Sequence, residues 1–430
     1  MHIYFSGLGG TGIGPLALIA KQAGFTVSGS DQQASQYTDY LAKQGIANIH
    51  IGQDEASIAA FHQKTPIDWF IYTSAINEDH PEYKFAKSHG IRTSKRDVLI
   101  VFLLQQLHLQ MVAIAGTHGK TTTTAMVVWL FKQIGKPISY ALGAKISFGE
   151  MGEYDPNSTL FVYEADEFDR NFLSFTPLVS IITGVTWDHQ EIFPERADYQ
   201  QAFRDFIKQS LRVLLWDADY RYLKLQADPR LAVQTADDPQ LKAITLPGAC
   251  NRADAWLAVQ AVSELTHTPL PILINHINRF PGSQRRMEQI APNLYSDYAH
   301  TPEKVRGGLG VALDIAKDRG QKVVVVYEPL TNRRQHYMIN DYKDCFAGAA
   351  HVYWIPSYLA REDPRQAVLT PAEMIQHLAD PTIAAPMERD EKLQQVLQQH
   401  LAAGDLVVGM AGGGGGSLDE WLRARFAKTA

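Results

Sequence analysis

One short segment limits the possible folds of this chain more than any other. An apolar stretch, Met111 to Ala115, runs into Gly116-Thr117-His118-Gly119-Lys120-Thr121, and a helix-like run, Thr124 to Gln133, follows. A turn that joins a buried strand to a helix presents backbone N–H groups and the positive end of the helix dipole to an anion. The segment therefore predicts an α/β domain that binds phosphate at this turn.

The residue types in this turn predict how a nucleoside triphosphate would be held. The Lys120 ammonium can reach the β- and γ-phosphates, and the Thr121 hydroxyl can bind Mg²⁺. The match to the usual pattern is partial, because its first glycine would fall at Ile114 and instead stands at Gly116. The predicted nucleotide contacts are Gly116, Thr117, His118, Gly119, Lys120, Thr121 and Thr122.

A second glycine-rich turn lies near the start of the chain. The turn Gly7-Leu8-Gly9-Gly10-Thr11-Gly12 precedes a helix-like run, Pro15 to Gln22, and a strand, Phe25 to Ser28, then leads to Asp31. This spacing fits a dinucleotide fingerprint, in which the acid binds a ribose hydroxyl, and taken alone it would suggest NAD. A further strand, Trp69 to Tyr72, leads into Thr73-Ser74-Ala75, which is predicted to be a phosphate-binding turn.

Acidic residues follow two further apolar strands. Leu160 to Tyr163 is followed by four acids in six residues, Glu164 to Asp169, and Val179 to Val185 is followed by Asp188 and His189. Parallel strands bind ligands at their carboxyl ends, and carboxylates are ligands that hard cations prefer. The pattern predicts a magnesium site here, with His189 as a metal or substrate contact.

The last third of the chain again alternates strands with helical runs. The strands are predicted at Leu294 to Ser296, Val323 to Tyr327, Val352 to Ile355 and Leu406 to Met410. Polar clusters follow the first two strands, at 297–302 and 328–334, and Arg285-Arg286 precedes them. Several arginines at strand ends suggest an anion clamp. The run of five glycines, Gly412 to Gly416, favours a flexible turn.

Length and composition exclude several classes of protein. A chain of 430 residues is long enough for two or three domains, and 45% hydrophobic with 20% charged residues is typical of a globular protein. A net charge of −6 argues against binding to nucleic acid. No apolar stretch approaches the roughly 20 residues of a membrane helix, and no signal peptide precedes the first strand, so we expect a cytoplasmic enzyme. Cys250 and Cys345 are expected to be buried thiols.

Together these motifs resemble the Mur ligases, which form amide bonds at the expense of ATP during peptidoglycan synthesis. The opening glycine turn with Gly29-Ser30-Asp31, the central Gly-Thr-His-Gly-Lys-Thr-Thr, and Glu164-Ala165-Asp166-Glu167 are most similar to the branch that adds L-alanine to UDP-N-acetylmuramate. The resemblance implies three domains built on mainly parallel sheets: a Rossmann-like domain, 1–97, for the UDP substrate, a P-loop domain, 98–276, for ATP, and a Rossmann-like domain, 277–430, for the amino acid.

The resemblance also implies roles for single residues. Lys120, Thr121, Glu164 and His189 correspond to the phosphate and magnesium residues, and Lys120, His189, Arg286 and His300 to the catalytic set. Asn251 corresponds to the residue that binds adenine, Arg286 to an arginine that reaches ATP, and Asp297 to a residue that meets the ribose. Arg333 falls in the segment that approaches L-alanine. The first glycine turn would hold UDP instead of NAD, through Gly9, Gly10, Thr11, Gly12, Asp31 and Ser74.

Three features depart from the alanine-adding pattern and keep alternatives open. Cys250 stands where a histidine usually precedes the asparagine, and His300-Thr301-Pro302 resembles later ligases of the pathway. The stretch between His189 and Asn251 is short for the family, as if a hairpin of the central domain were missing. The main alternative is a recycling ligase that joins a murein tripeptide to UDP-N-acetylmuramate, followed by a ligase that adds a later amino acid. From other classes, an ATP-hydrolysing switch would not need Asp297 and the arginines of the last domain, and an NAD dehydrogenase would not need the P-loop. The general base and the oligomeric state are left open.

Overall fold

The computed structural model describes residues 1–73, 76–190, 192–359, 362, 365–413 and 416–427. The described residues form three sheets, and the prediction of three α/β domains on mainly parallel sheets is confirmed. The chain divides into two compact units, residues 1–243 with 254–280 and residues 244–253 with 281–430. The first two sheets lie in the first unit and the third sheet in the second. The domain boundaries at 97 and 276 stay a prediction.

The first sheet has five parallel strands in the order β3-β2-β1-β4-β5. At its centre His2–Ser6 and Trp69–Tyr72 are mostly apolar and buried, which suits a parallel sheet that helices cover on both faces. The strands are β1 His2–Ser6, β2 Thr26–Asp31, β3 Ile49–Ile51, β4 Trp69–Tyr72 and β5 Arg92–Lys95; the helices are α1 Gly14–Gln22, α2 Gln36–Lys43, α3 Glu55–Lys64, α4 Pro81–Ser88 and α5 Arg96–Gln106. The strand order reverses at β1, so the first glycine turn lies at a switch point where ligands bind.

The second sheet has seven strands in the order β12-β11-β10-β6-β9-β7-β8, and only the β7–β8 pair is antiparallel. Strand β6 leads into the central glycine turn and has β10 and β9 as its neighbours, so the residues that follow all three strands meet at one edge. The strands are β6 Gln110–Ala115, β7 Ser139–Ala141, β8 Gly152–Glu153, β9 Leu160–Glu164, β10 Val179–Ile182, β11 Arg212–Trp216 and β12 Leu231–Gln234; the helices are α6 Lys120–Gln133, α7 Arg196–Gln209, α8 Asp217–Tyr222, α9 Ala249–Thr266 and α10 Leu270–Ile277, with 3₁₀ segments at Phe168–Ser174 and Pro239–Ala243.

The third sheet has six strands in the order β13-β14-β18-β15-β16-β17, and only the β13–β14 pair is antiparallel. Two apolar clusters cover its two faces, one around Trp354 and the other around Leu393. The strands are β13 Glu288–Ala291, β14 Leu294–Asp297, β15 Val323–Glu328, β16 His351–Trp354, β17 Ala384–Pro386 and β18 Leu406–Ala411; the helices are α11 Pro302–Arg319, α12 Asn332–Tyr337, α13 Pro371–Ile375, α14 Glu391–Ala402 and α15 Leu418–Phe426, with 3₁₀ segments at Ile339–Tyr342 and Pro381–Ile383.

Three expectations from the sequence need correction. Strand β10 ends at Ile182, not at Val185, because Gly184 adopts a positive φ of 147° and leaves the ladder. Helix α6 begins at Lys120, four residues before Thr124. Cys250 is exposed at the start of α9, and only Cys345 is a buried thiol. Among the described residues, no helix has both the length and the apolarity needed to cross a bilayer.

Candidate functional site

The central glycine turn is fixed against the end of strand β10. Thr117 donates its backbone N–H to the Gly184 carbonyl at 2.7 Å, and its hydroxyl donates to the Thr186 carbonyl at 2.7 Å. His118 contacts the Thr186 hydroxyl through Nε2 at 2.7 Å. Side chains would not fit at Gly116, where φ is 145° and a Cβ would lie 3.0 Å from the Gly184 carbonyl oxygen. These hydrogen bonds hold the turn in place at the amino end of α6.

Lys120, the first residue of α6, folds back over this turn. Its ammonium donates to the Gly116 carbonyl and to Glu167 Oε2, the latter at 2.7 Å. Glu167 is buried and Lys120 is nearly so, with exposed side-chain fractions of 1% and 12%. Burial alone would lower the pKa of Lys120, but Glu167, Asp166 and Glu164 together raise it above its ordinary value. The lysine therefore stays cationic beside the turn, as phosphate binding requires.

Two groups of oxygen and nitrogen ligands lie at the ends of β9 and β10. Thr121 donates its hydroxyl to Glu164 at 2.9 Å. His189, Asp166 and Glu167 offer ligand atoms that all lie within 4.8 Å of one another. The sequence predicted Thr121, Glu164 and His189 as metal ligands and left out Asp166 and Glu167, although both belong to the acidic run that was recognised. The three carboxylates and the hydroxyl supply oxygen ligands of the type that Mg²⁺ prefers, and the His189 imidazole adds one nitrogen to its group.

The charges around Asp166 set the pKa of its carboxyl group. Burial would raise the pKa of Asp166, but Lys120, Arg96 and His189 lower it below its ordinary value. Asp166 therefore remains a carboxylate that can bind a cation.

Tyr199 links the glycine turn to the acidic cluster. Its hydroxyl lies 2.8 Å from the Thr117 hydroxyl and donates to Glu167 at 3.1 Å. No local sequence signal indicated Tyr199, which lies in the first turn of α7.

A buried acid that the sequence did not indicate lies behind the same turn. Asp254, in α9, is only 6% exposed, and a Cβ on Gly119 would lie 2.5 Å from its Oδ2. Gly119 has a φ of 72°, so both its conformation and this contact require glycine. Burial first, and then Asp219, raises the pKa of Asp254 to about 8, although the Thr123 hydroxyl lowers it in part. The carboxyl group is therefore mostly protonated at neutral pH.

The first glycine turn is partly exposed and is held by the neighbouring strand β2. Gly7 and Leu8 donate their N–H groups to the Ser30 carbonyl at 2.8 and 2.9 Å. Gly9 donates its N–H to Asp31 Oδ2 at 2.7 Å, so the acid predicted to bind a ribose also supports the turn. Gly10 and Thr11 are exposed, and Gly12 is partly exposed. Ser74 lies outside the described residues.

The second unit brings together Arg286, Asp297 and their neighbours. Asp297 accepts the Met287 N–H at 2.8 Å, and burial raises the pKa of its carboxyl group to about 6 against the opposing effect of Arg286 and Arg285. The Arg286 guanidinium lies 4.8 Å from the centre of the Tyr298 ring. This contact orients a cation close to the end of strand β14.

The remaining predicted residues of the second unit lie at helix starts. His300 is 4% exposed, and Arg334 Nη1 lies 3.3 Å from its Nε2. Sequence reasoning chose Arg333, which is half-buried in α12, and passed over its neighbour Arg334. Asn251, in the first turn of α9, donates from Nδ2 to the Pro247 carbonyl at 2.9 Å. Its side chain is partly exposed.

Comparison with known proteins gives a consistent result. Residues 2–106 match the model of the Mur ligase family catalytic domain, and residues 114–238 match the Mur ligase middle domain. A protein named UDP-N-acetylmuramate–L-alanine ligase from Nocardioides sp. is 30% identical over 403 residues, which cover 88% of each chain. One of the same name from Agathobacter rectalis is 28% identical over 450 residues, 96% of this chain and 95% of that one. The crystal structure of UDP-N-acetylmuramate–alanine ligase from Thermotoga maritima has the same fold, with a TM-score of 0.74, 24% identity and coverage of 96% of both chains.

Proposed function

The chain belongs to the Mur ligase family, and from this premise we propose that it joins L-alanine to the carboxylate of UDP-N-acetylmuramate, with ATP, in peptidoglycan precursor synthesis. The observation that carries the proposal is the P-loop lysine in contact with a possible cation site: Lys120 pairs with Glu167, which lies with Asp166 and His189. The choice of L-alanine rests on relatives of that name that align with nearly the whole chain.

The reaction needs the substrate carboxylate to become a better acyl donor. Its oxygen attacks the γ-phosphorus of ATP, the bond to the β-γ bridging oxygen breaks, and ADP leaves with an acyl phosphate remaining. The amine then attacks the acyl carbon, phosphate leaves, and the ammonium proton is lost to a base that we do not assign. Two anions must meet in the first step, so cations close to them provide much of the rate enhancement.

The residues of this chain supply these cations and the contacts that orient the substrates. Lys120 would contact the phosphates, and Mg²⁺ would be held by oxygen and nitrogen atoms from Thr121, Glu164 and the Asp166–Glu167–His189 group. When bound, the metal would neutralise phosphate charge. The turn from Gly9 to Gly12 would hold the UDP diphosphate, with Asp31 beside it.

Residues of the second unit complete the proposed assignment. Asn251 would bind the adenine, Arg286 the phosphates, and Asp297 the ribose. His300 lies beside Arg334, so this pair joins Arg333 as the proposed surroundings of the amino acid. The buried His300 imidazole and a neighbouring guanidinium suit a carboxylate-bearing amine substrate.

The test is phosphate release from ATP with UDP-N-acetylmuramate and one amine at a time. We expect L-alanine to be preferred, with glycine and L-serine weaker by about 10- to 200-fold, because one methyl or hydroxyl group discriminates only modestly. Product with a murein tripeptide alone would assign the chain to recycling, and product with diaminopimelate alone would assign it to a later step.

The role of the central turn is tested by Lys120→Ala. We expect the folded variant to lose turnover, since a cation close to developing charge contributes about 10²- to 10³-fold per contact. Lys136→Ala is the matched control, because Lys136 is exposed just after α6. Turnover of Lys120→Ala equal to that of the control would refute the ATP site as assigned.

A further inference from the structure

Arg96 is a cation that none of the roles above uses. It is the first residue of α5, the helix between the last strand of the first sheet and the first strand of the second sheet. Its side chain is 23% exposed, so a bound molecule can reach it. Its two terminal nitrogens face different partners.

One terminal nitrogen lies on the first glycine turn. A methyl group built on Gly12 would collide with Arg96 Nη1, so the absence of a side chain at Gly12 leaves room for the guanidinium against the backbone. The segment from Gly7 to Gly14 contains no basic residue. Asp31 brings a carboxylate to the turn at Gly9. A diphosphate at this turn would meet that negative charge, and Arg96 is positioned to offset it.

The other terminal nitrogen points to the proposed cation site. Arg96 Nη2 lies 3.4 Å from Asp166 Oδ2, and Asp166 belongs to the group with Glu167 and His189. A guanidinium has a planar fork of donors, so a single side chain can contact two acceptors at a fixed separation. A lysine has one ammonium and cannot make both contacts in this geometry.

Lys95, the residue before Arg96, provides a comparison. Its ammonium pairs with Asp169 of the same acidic segment. The three atoms nearest to a Cβ built on Gly12 all belong to Arg96. Two adjacent cations therefore contact the acidic segment, and Arg96 also lies against the glycine turn.

We propose that Arg96 binds the diphosphate of the UDP-linked substrate through Nη1 while Nη2 stays on Asp166, and so couples the sugar nucleotide to the ATP site. The inference rests on the proposed function, in that the first glycine turn must take a nucleoside diphosphate. Arg96 is thus a binding and positioning residue that fixes the substrate relative to the acids beside Lys120. Binding of either nucleotide then favours binding of the other, since both depend on one guanidinium orientation.

The experiment measures the Kd of UDP-N-acetylmuramate, and separately of a non-hydrolysable ATP analogue with Mg²⁺, by calorimetry. We expect Arg96→Gln to raise the Kd of UDP-N-acetylmuramate by about 10- to 100-fold, the effect of one charge-assisted hydrogen bond, and that of the analogue by less than about threefold. The Kd of UDP-N-acetylmuramate measured with the analogue present should no longer be lower than without it. Arg96→Lys should restore part of the affinity and none of the coupling.

Lys95→Ala is the matched control, because it removes a neighbouring cation from the acidic segment and leaves the glycine turn alone. We expect its two Kd values to stay within about threefold of those of the unmodified protein. A Kd for UDP-N-acetylmuramate that Arg96→Gln leaves unchanged, or two Kd values that rise equally, would overturn the proposal. If Arg96→Gln does not fold, Arg96→Lys keeps the positive charge and must still abolish the coupling between the two nucleotides, because one ammonium cannot contact both partners. If the unmodified protein fails to bind UDP-N-acetylmuramate, the proposed function fails instead.

Discussion

Asp254 gives a prediction whose size follows from its surroundings. Its carboxyl group is buried behind the P-loop, and burial together with Asp219 raises its pKa from 3.8 to about 8. In the unfolded chain the group would titrate near the ordinary value, so the folded protein binds its proton more tightly. The contribution of Asp254 to stability is therefore fully present below about pH 4 and is lost as the pH rises through about 8.

The perturbation is Asp254→Asn, which keeps the shape of the side chain and removes the titration. Between the two pKa values, 3.8 and about 8, each pH unit lowers the free energy of unfolding by about 1.4 kcal/mol. Asp254 should therefore lower the free energy of unfolding by roughly 3–4 kcal/mol more at pH 8 than at pH 5. We expect the free energy of unfolding of Asp254→Asn, relative to that of the unmodified protein, to be higher at pH 8 than at pH 5 by about this amount.

The assay is urea unfolding at pH 5 and pH 8, followed by hydrogen exchange of α6 and α9, because a chain with several domains need not unfold in one step. Comparing the two pH values cancels any constant cost of the amide. Asp237→Asn, at an exposed position, is the control and should show no comparable change. If the stability difference between Asp254→Asn and the unmodified protein is equal at pH 5 and pH 8, the assignment of a protonated carboxyl group is refuted.

Two smaller predictions concern glycines and cysteines. A Cβ on Gly29 would collide with a carbonyl oxygen of the adjacent strand β1, so Gly29→Ala should lower the free energy of unfolding by about 1–3 kcal/mol. Gly310 lies in α11 with open space around it, so Gly310→Ala should raise the free energy of unfolding by up to about 1 kcal/mol. Urea unfolding measures both changes. Cys250 is exposed, and burial raises the pKa of Cys345 to about 12. A thiol reagent should therefore modify Cys250 in the native protein and Cys345 only after unfolding, and equal rates would contradict this.

The order of strands and helices was largely predictable because the buried parallel strands are continuous apolar runs. Their ends were less predictable. Strands β9, β14 and β15 each continue for one residue beyond the predicted strand, to Glu164, Asp297 and Glu328. These acids still pair in the ladder, Glu164 with Ile114 for example. A hydrophobic pattern ends where the side chains become polar, whereas the strand ends where backbone pairing stops.

Short edge strands were not predicted from the sequence, because they contain no continuous apolar run. Strand β5 reads Arg-Thr-Ser-Lys and is a strand only because it pairs with β4. The same reason applies to contacts between distant residues. The sequence shows where Lys120 and Arg334 lie in their motifs. Their partners, Glu167 and His300, are 47 and 34 residues away in the chain, and these contacts depend on how the sheets fold. Sequence reasoning could therefore list members of the site and could not say which of them touch.

The start of helix α6 shows why local propensity failed at the site itself. Thr121 to Thr124 is a run of four β-branched residues, which disfavour helix relative to alanine or leucine, and the predicted helix begins only at the last of them. The structure begins the helix at Lys120, and the threonine hydroxyls find uses that offset the weak propensity: Thr121 donates to Glu164 and Thr124 donates to the Lys120 carbonyl at 2.8 Å. A later start would move Lys120 and Thr121 off the helix terminus, away from the N–H groups that bind anions. A phosphate site at this turn therefore requires a helix to begin at residues whose own helix propensity is low. This conflict between local propensity and structure coincides with the functional turn.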